Sequence, residues 1–88
     1  MSEPKEEKTI GEIIAEARKN SGLSLRDLAA KLEIHFTYLA DIEKNRVIPS
    51  ETIIKSFALQ PELYLEFDEL MALAGRIGED AENYLKNL

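Results

Sequence analysis

Residues Ser24 to Glu43, SLRDLAAKLEIHFTYLADIE, leave this chain few ways to fold. Leu25, Leu28, Ala29 and Leu32 recur at helical spacing and share one face. After a break at Glu33-Ile34 the pattern resumes with Leu39 and Ile42, three residues apart. Ser24 is a natural N-cap, and Asp27 stands where a capping-box partner belongs. Two short helices joined by so brief a turn must cross steeply. That is the geometry of a helix-turn-helix motif, which presents its second helix outward.

The flanking stretches supply the scaffold such a pair needs. Thr9 opens a first helix with Glu12 as its capping-box partner. Ile10, Ile13, Ile14 and Ala17 form the apolar stripe of that helix, and Gly22 supplies a left-handed stop. Residues 46–49 read as a connector, after which Ser50 caps a fourth helix through Ile53, Ile54 and Phe57. Pro61 ends that helix or opens the next element. Leu63, Leu65, Phe67, Leu70, Met71 and Leu73 predict an apolar-rich fifth helix ending at Gly75. The spacing predicts a polar arm over residues 1–8, a folded domain over 9–77 with its helix-turn-helix at 24–43, and a short amphipathic tail over 78–88. The tail carries Ala81, Tyr84, Leu85 and Leu88 at helical intervals. The expected fold class is all-α, a bundle of about five short helices.

Eighty-eight residues fit one small domain. The absence of cysteine removes disulfides and thiolate metal sites. No apolar run approaches the length of a membrane span, and MSEPKEEK does not read as a secretory leader, so a cytoplasmic protein is expected. A single histidine, no Gly-rich phosphate loop and no ligand cluster argue against an enzyme, a metal centre or a cofactor. The net charge of −6 argues at first sight against a nucleic-acid partner. Its distribution softens the objection. Residues 15–55 hold seven basic and six acidic side chains, a balance of +1, while residues 56–88 contribute −5. The acidity sits mainly in the C-terminal third, a possible surface for a protein partner.

The ordered set Gly22-Leu23-Ser24, Asp27-Leu28-Ala29, Leu32, Tyr38-Leu39, Asp41-Ile42-Glu43 and Pro49 resembles the Cro/cI-type (XRE) family of bacterial and phage repressors. The match runs from about Ile10 to Ile77. The resemblance implies a λ-repressor-like DNA-binding domain that binds double-stranded DNA as a homodimer, on a short inverted repeat, through a recognition helix at 35–44. It also implies an ion pair between Arg18 and Glu43, joining the first helix to the end of the recognition helix. The chain departs from the pattern in four places. Glu33 and Asn45 stand where relatives often carry glycine, and Leu25 stands where they often carry glutamine. The QPELYLEF segment is about two residues longer than usual.

Under that reading the base contacts fall to His35, Phe36, Thr37 and Asp41. Thr37 can donate or accept, and its methyl can touch thymine. Phe36 has no hydrogen bond to give and would pack on a thymine methyl. His35 can bond a phosphate or a purine. Asp41 accepts only, so cytosine N4 is its natural base partner. Phosphate contacts fall to Ser24, Arg26, Tyr38, Lys44 and Arg46. Bland alternatives stand beside these: His35 as a helix cap, Phe36 as a satellite of the core, Asp41 paired with Lys44. The dimer surface is expected at Leu63, Phe67, Met71, Tyr84 and Leu85. The competing reading is a protein-interaction module or antitoxin-like partner binder that keeps the fold with little DNA binding; the acidic balance, Leu25, Glu33, Phe36 and Asp41 favour it.

Overall fold

Five helices and one short 3-10 turn make up the described part of the chain, residues 8–75 of the computed structural model. In chain order these are α1 (Ile10–Asn20), α2 (Leu25–Leu32), α3 (Phe36–Glu43), α4 (Glu51–Ala58), the 3-10 turn Pro61–Leu63 and α5 (67–75). No strand occurs among the described residues. Each element contributes to one core: Ile10 and Ile14 from α1, Leu28, Ala29 and Leu32 from α2, Leu39 and Ile42 from α3, Ile54 and Phe57 from α4, then Leu63 and Leu70. All of these in α1 to α4 are positions the helical spacing marks; Ile13, Ala17, Leu25 and Ile53, also marked, are half-buried against the core. Each buried large side chain contributes about 1.5–3 kcal/mol, and that shared burial holds helices too short to stand alone.

The helix starts follow local side-chain chemistry. Thr9 Oγ1 accepts from the Glu12 N–H at 3.1 Å, and Glu12 accepts in return from the Thr9 N–H at 2.9 Å. Ser24 and Asp27 form the same reciprocal pair at 3.0 and 3.2 Å. Ser50 caps α4 by accepting from the Ile53 N–H.

The helix ends share one device. α1, α2 and α3 each finish with a residue in the left-handed region: Gly22 at φ 78°, Glu33 at φ 59° and Asn45 at φ 62°. At each end the next amide reaches back to a carbonyl of the last turn: Leu23 to Arg18, Ile34 to Ala29, Arg46 to Asp41. This double closure satisfies carbonyls the helix leaves open. Glu33 thus adopts the strained conformation that glycine would take freely, at a cost of about 1–2 kcal/mol.

The stretch after α4 differs from the sequence expectation. Leu63 and Leu65 do not belong to the fifth helix. Pro61 opens the 3-10 turn, Tyr64 follows it at φ 53°, and an α-helix restarts only at residue 67. A left-handed residue cannot sit inside a right-handed helix, so the apolar run 63–73 is split in two. The arm over residues 1–8 and the tail over 78–88 lie outside the described residues, apart from Lys8, whose Nζ bonds Glu16 at 2.6 Å.

Candidate nucleic-acid interface

α3 is tied to α1 at its C-terminal end and capped at its N-terminal end, and this sets what its outer edge can do. At its C-terminal end Arg18 of α1 meets Glu43 through two parallel bonds, Nε to Oε2 at 2.7 Å and Nη2 to Oε1 at 3.0 Å. Arg18 Nη1 also donates to the Leu23 carbonyl at 2.9 Å, tying in the α1–α2 turn. The two side chains are only 12% and 9% exposed. A planar fork meeting a carboxylate fixes orientation as well as distance. Desolvation offsets much of the attraction, so the pair's value lies in position more than in net stability.

The sequence reading missed a second tie. Asn45, in its left-handed conformation, accepts from the Gly11 N–H at 3.1 Å and donates to Thr9 Oγ1 at 2.8 Å. It thereby serves one of the open amides at the start of α1. Gly11 permits this approach. A Cβ there would collide with the Ile42 carbonyl and would lie 2.6 Å from that of Glu43 and 2.7 Å from Asn45 Oδ1. Its signal in the sequence was a glycine inside an otherwise strong helical pattern, a recognised mark of close packing.

At the N-terminal end His35 is the N-cap of α3. Its Nδ1 accepts from the Thr37 N–H at 3.2 Å and lies 2.8 Å from Thr37 Oγ1. An amide can only donate, so Nδ1 is the bare nitrogen and the proton resides on Nε2. The Thr37 hydroxyl donates to that same nitrogen, which leaves its lone pairs and methyl for a ligand. The capping role weighed for His35 is the one the geometry supports, and it leaves the Nε2–H free to donate.

The remaining expected contacts surround this edge. Thr37, Ser24, Arg26, Lys44 and Arg46 are exposed, while Phe36, Tyr38 and Asp41 are half-buried. Phe36 and Tyr38 pack against the core. Arg26 lies over the Phe36 ring, 4.0 Å from its centroid. Asp41 pairs with Arg46, Oδ1 to Nη1 at 3.6 Å, rather than with Lys44. Ser24 Oγ is occupied by the Asp27 N–H. The Asp27 carboxyl sits below the usual carboxylate range, chiefly because the Ser24 N–H and hydroxyl bond its ionised form. Lys31 bridges to Glu62 at 3.3 Å, spanning from α2 to the 3-10 turn. The Glu62 carboxyl is also held low, first by its own backbone amide and then by Lys31.

One expected dimer residue needs correction. Leu63 is 3% exposed and belongs to the protomer core, so it has no surface to offer a second copy. Phe67 and Met71 are half-buried. Tyr84 and Leu85 lie outside the described residues.

No helix among the described residues is long and apolar enough to cross a membrane. Comparison with curated proteins and with solved structures finds no match. A family model described as helix-turn-helix, of the XRE type, matches residues 14–62, from the second turn of α1 into the 3-10 turn. Its span takes in both halves of the motif, the Arg18–Glu43 pair and every expected DNA contact. The chain therefore belongs to the XRE-type helix-turn-helix family, DNA-binding regulators of the λ-repressor-like all-α fold.

Proposed function

We propose that the protein is a sequence-specific transcriptional repressor that binds a short inverted repeat as a homodimer, acting in the cytoplasm and not as an enzyme. The observation that carries this reading is the leading edge of α3. Thr37 and the His35 Nε2–H stand exposed there, with Arg26, Lys44 and Arg46 exposed around them. Thr37 and Asp41 would read base edges, and His35, Arg26, Lys44, Arg46, Tyr38 and the start of α2 would meet phosphates. One module this small covers too few base pairs to be specific alone. A pair of recognition helices about 34 Å apart, one turn of duplex, would supply the rest. Phe67 and Met71, with Tyr84 and Leu85 of the tail, are the proposed dimer contacts.

Selection of bound duplexes from a random pool tests this directly. The expected result is an inverted repeat with half-sites one helical turn apart. Failure to enrich any sequence would overturn it. The acidic balance and the Asp41–Arg46 pair favour one rival, a partner-binding module of the same fold. That rival would shift no duplex at any salt concentration, whereas a DNA reader loses affinity steeply as salt rises.

A further inference from the structure

Phe36 does not sit at the interface as a free ring. Arg26 lies over it at 4.0 Å, and the His35 ring stacks on it with centroids 5.1 Å apart and planes 21° from parallel. Its position is set by the protein, since it packs against the core. Arg26 for its part takes no place in the ion pairs among the described residues. The carboxylate beside it in sequence, Asp27, is engaged by the Ser24 N–H. A guanidinium is planar and carries five donors at its rim, so one held over a ring by its Cζ keeps them available for a ligand. The His35 Nε2–H adds another donor on the same stack. These three side chains line a shallow groove with Ala29, Ala30 and Ile34.

We infer that Phe36 is a positioning residue that reads no base: its ring holds the Arg26 guanidinium in place, so that the Arg26 fork and the His35 Nε2–H together clamp a backbone phosphate of the duplex. This rests on the DNA-reader function proposed above and names the ligand of one part of that surface. Preorganisation is the physical gain. A long arginine fixed before binding has less freedom to lose on contact.

Phe36→Leu removes the platform and keeps every charge, whereas Phe36→Tyr keeps the ring. Titrations use the duplex selected from the random pool and a mixed-sequence duplex of equal length. Phe36→Leu should weaken both by about the same factor, roughly five-fold per protomer. Phe36→Tyr should match the wild type. Arg26→Lys should show the same uniform loss and add nothing in the Phe36→Leu background. Because Arg26 is exposed, that variant keeps the test usable should Phe36→Leu fold poorly. Replacing thymine by uracil in the selected duplex should affect wild type and Phe36→Leu equally. A Phe36→Leu loss confined to the selected duplex and erased by uracil would show the ring reading a thymine methyl, and would overturn the inference. Losses that multiply between Arg26→Lys and Phe36→Leu would overturn it too. If the wild type binds no duplex at all, the DNA-reader function falls and the clamp with it; if the wild type binds and the variants disobey, only the clamp falls.

Discussion

Glu33 carries backbone strain that another residue would not. Its φ of 59° is natural for glycine and costs other residues about 1–2 kcal/mol. Glu33→Gly relieves that and gives back about 0.5–1 kcal/mol through a looser unfolded chain. The balance favours stability by about 0.5–1 kcal/mol, visible as a higher Tm in thermal melts. Asp41 tests a different balance. It accepts only, would face a polyanion in the proposed complex, and holds Arg46 at 3.6 Å. Asp41→Asn should free Arg46 for phosphate. Affinity for a mixed-sequence duplex should then rise, and the slope of log affinity against log salt should steepen by about one per protomer. In an Arg46→Ala background the steepening should vanish, and fluorescence anisotropy over a salt series reads both.

At the level of elements, the caps were the legible part. Thr9 with Glu12, Ser24 with Asp27, and Ser50 act over three residues, so spacing alone exposes them. The Arg18–Glu43 pair was legible only through family resemblance, since 25 residues separate its partners. Gly11 against Asn45, Arg26 over Phe36, and Asp41 with Arg46 depend on how helices cross or end, which periodicity does not encode. The run 63–73 misled because apolar spacing does not register a backbone reversal such as that at Tyr64.

Two predictions belong to the elements. Gly11→Ala gains about 1 kcal/mol of helix propensity at most. It also drives a methyl into two α3 carbonyls that cannot move without moving α3. The clash should win, costing about 1–3 kcal/mol in chemical denaturation, with DNA affinity falling even where the variant is fully folded. The second concerns acid. The folded state depresses the Asp27 pKa, so its contribution is present above an ordinary aspartate's value, near 4, and is lost as pH falls through the lower folded value. Asp27→Asn should therefore melt earlier than wild type at pH 7, and the gap should narrow toward pH 3.

Considered whole, the molecule is an acidic body with a small basic edge. Its charge is −6, and Lys8, Arg18, Lys31 and Arg46 are each matched to a carboxylate. Among the described residues this leaves Lys19, Arg26, Lys44 and Lys55 to displace counterions. Mixed-sequence DNA should bind at or beyond the weak end of the usual range, about 10⁻⁴ M at physiological salt. Anisotropy titration checks this, and discrimination then comes from base contacts more than from attraction at large.

α3 is eight residues long, well short of the roughly 12–15 at which an isolated helix begins to hold in water. It owes its shape to Leu39 and Ile42 inside the core and to its ties with Arg18 and Gly11. The reading edge therefore cannot be excised. A synthetic copy of Phe36–Glu43 would be shapeless and mute, and heat should silence the intact protein at the same temperature at which it dissolves the body behind that edge.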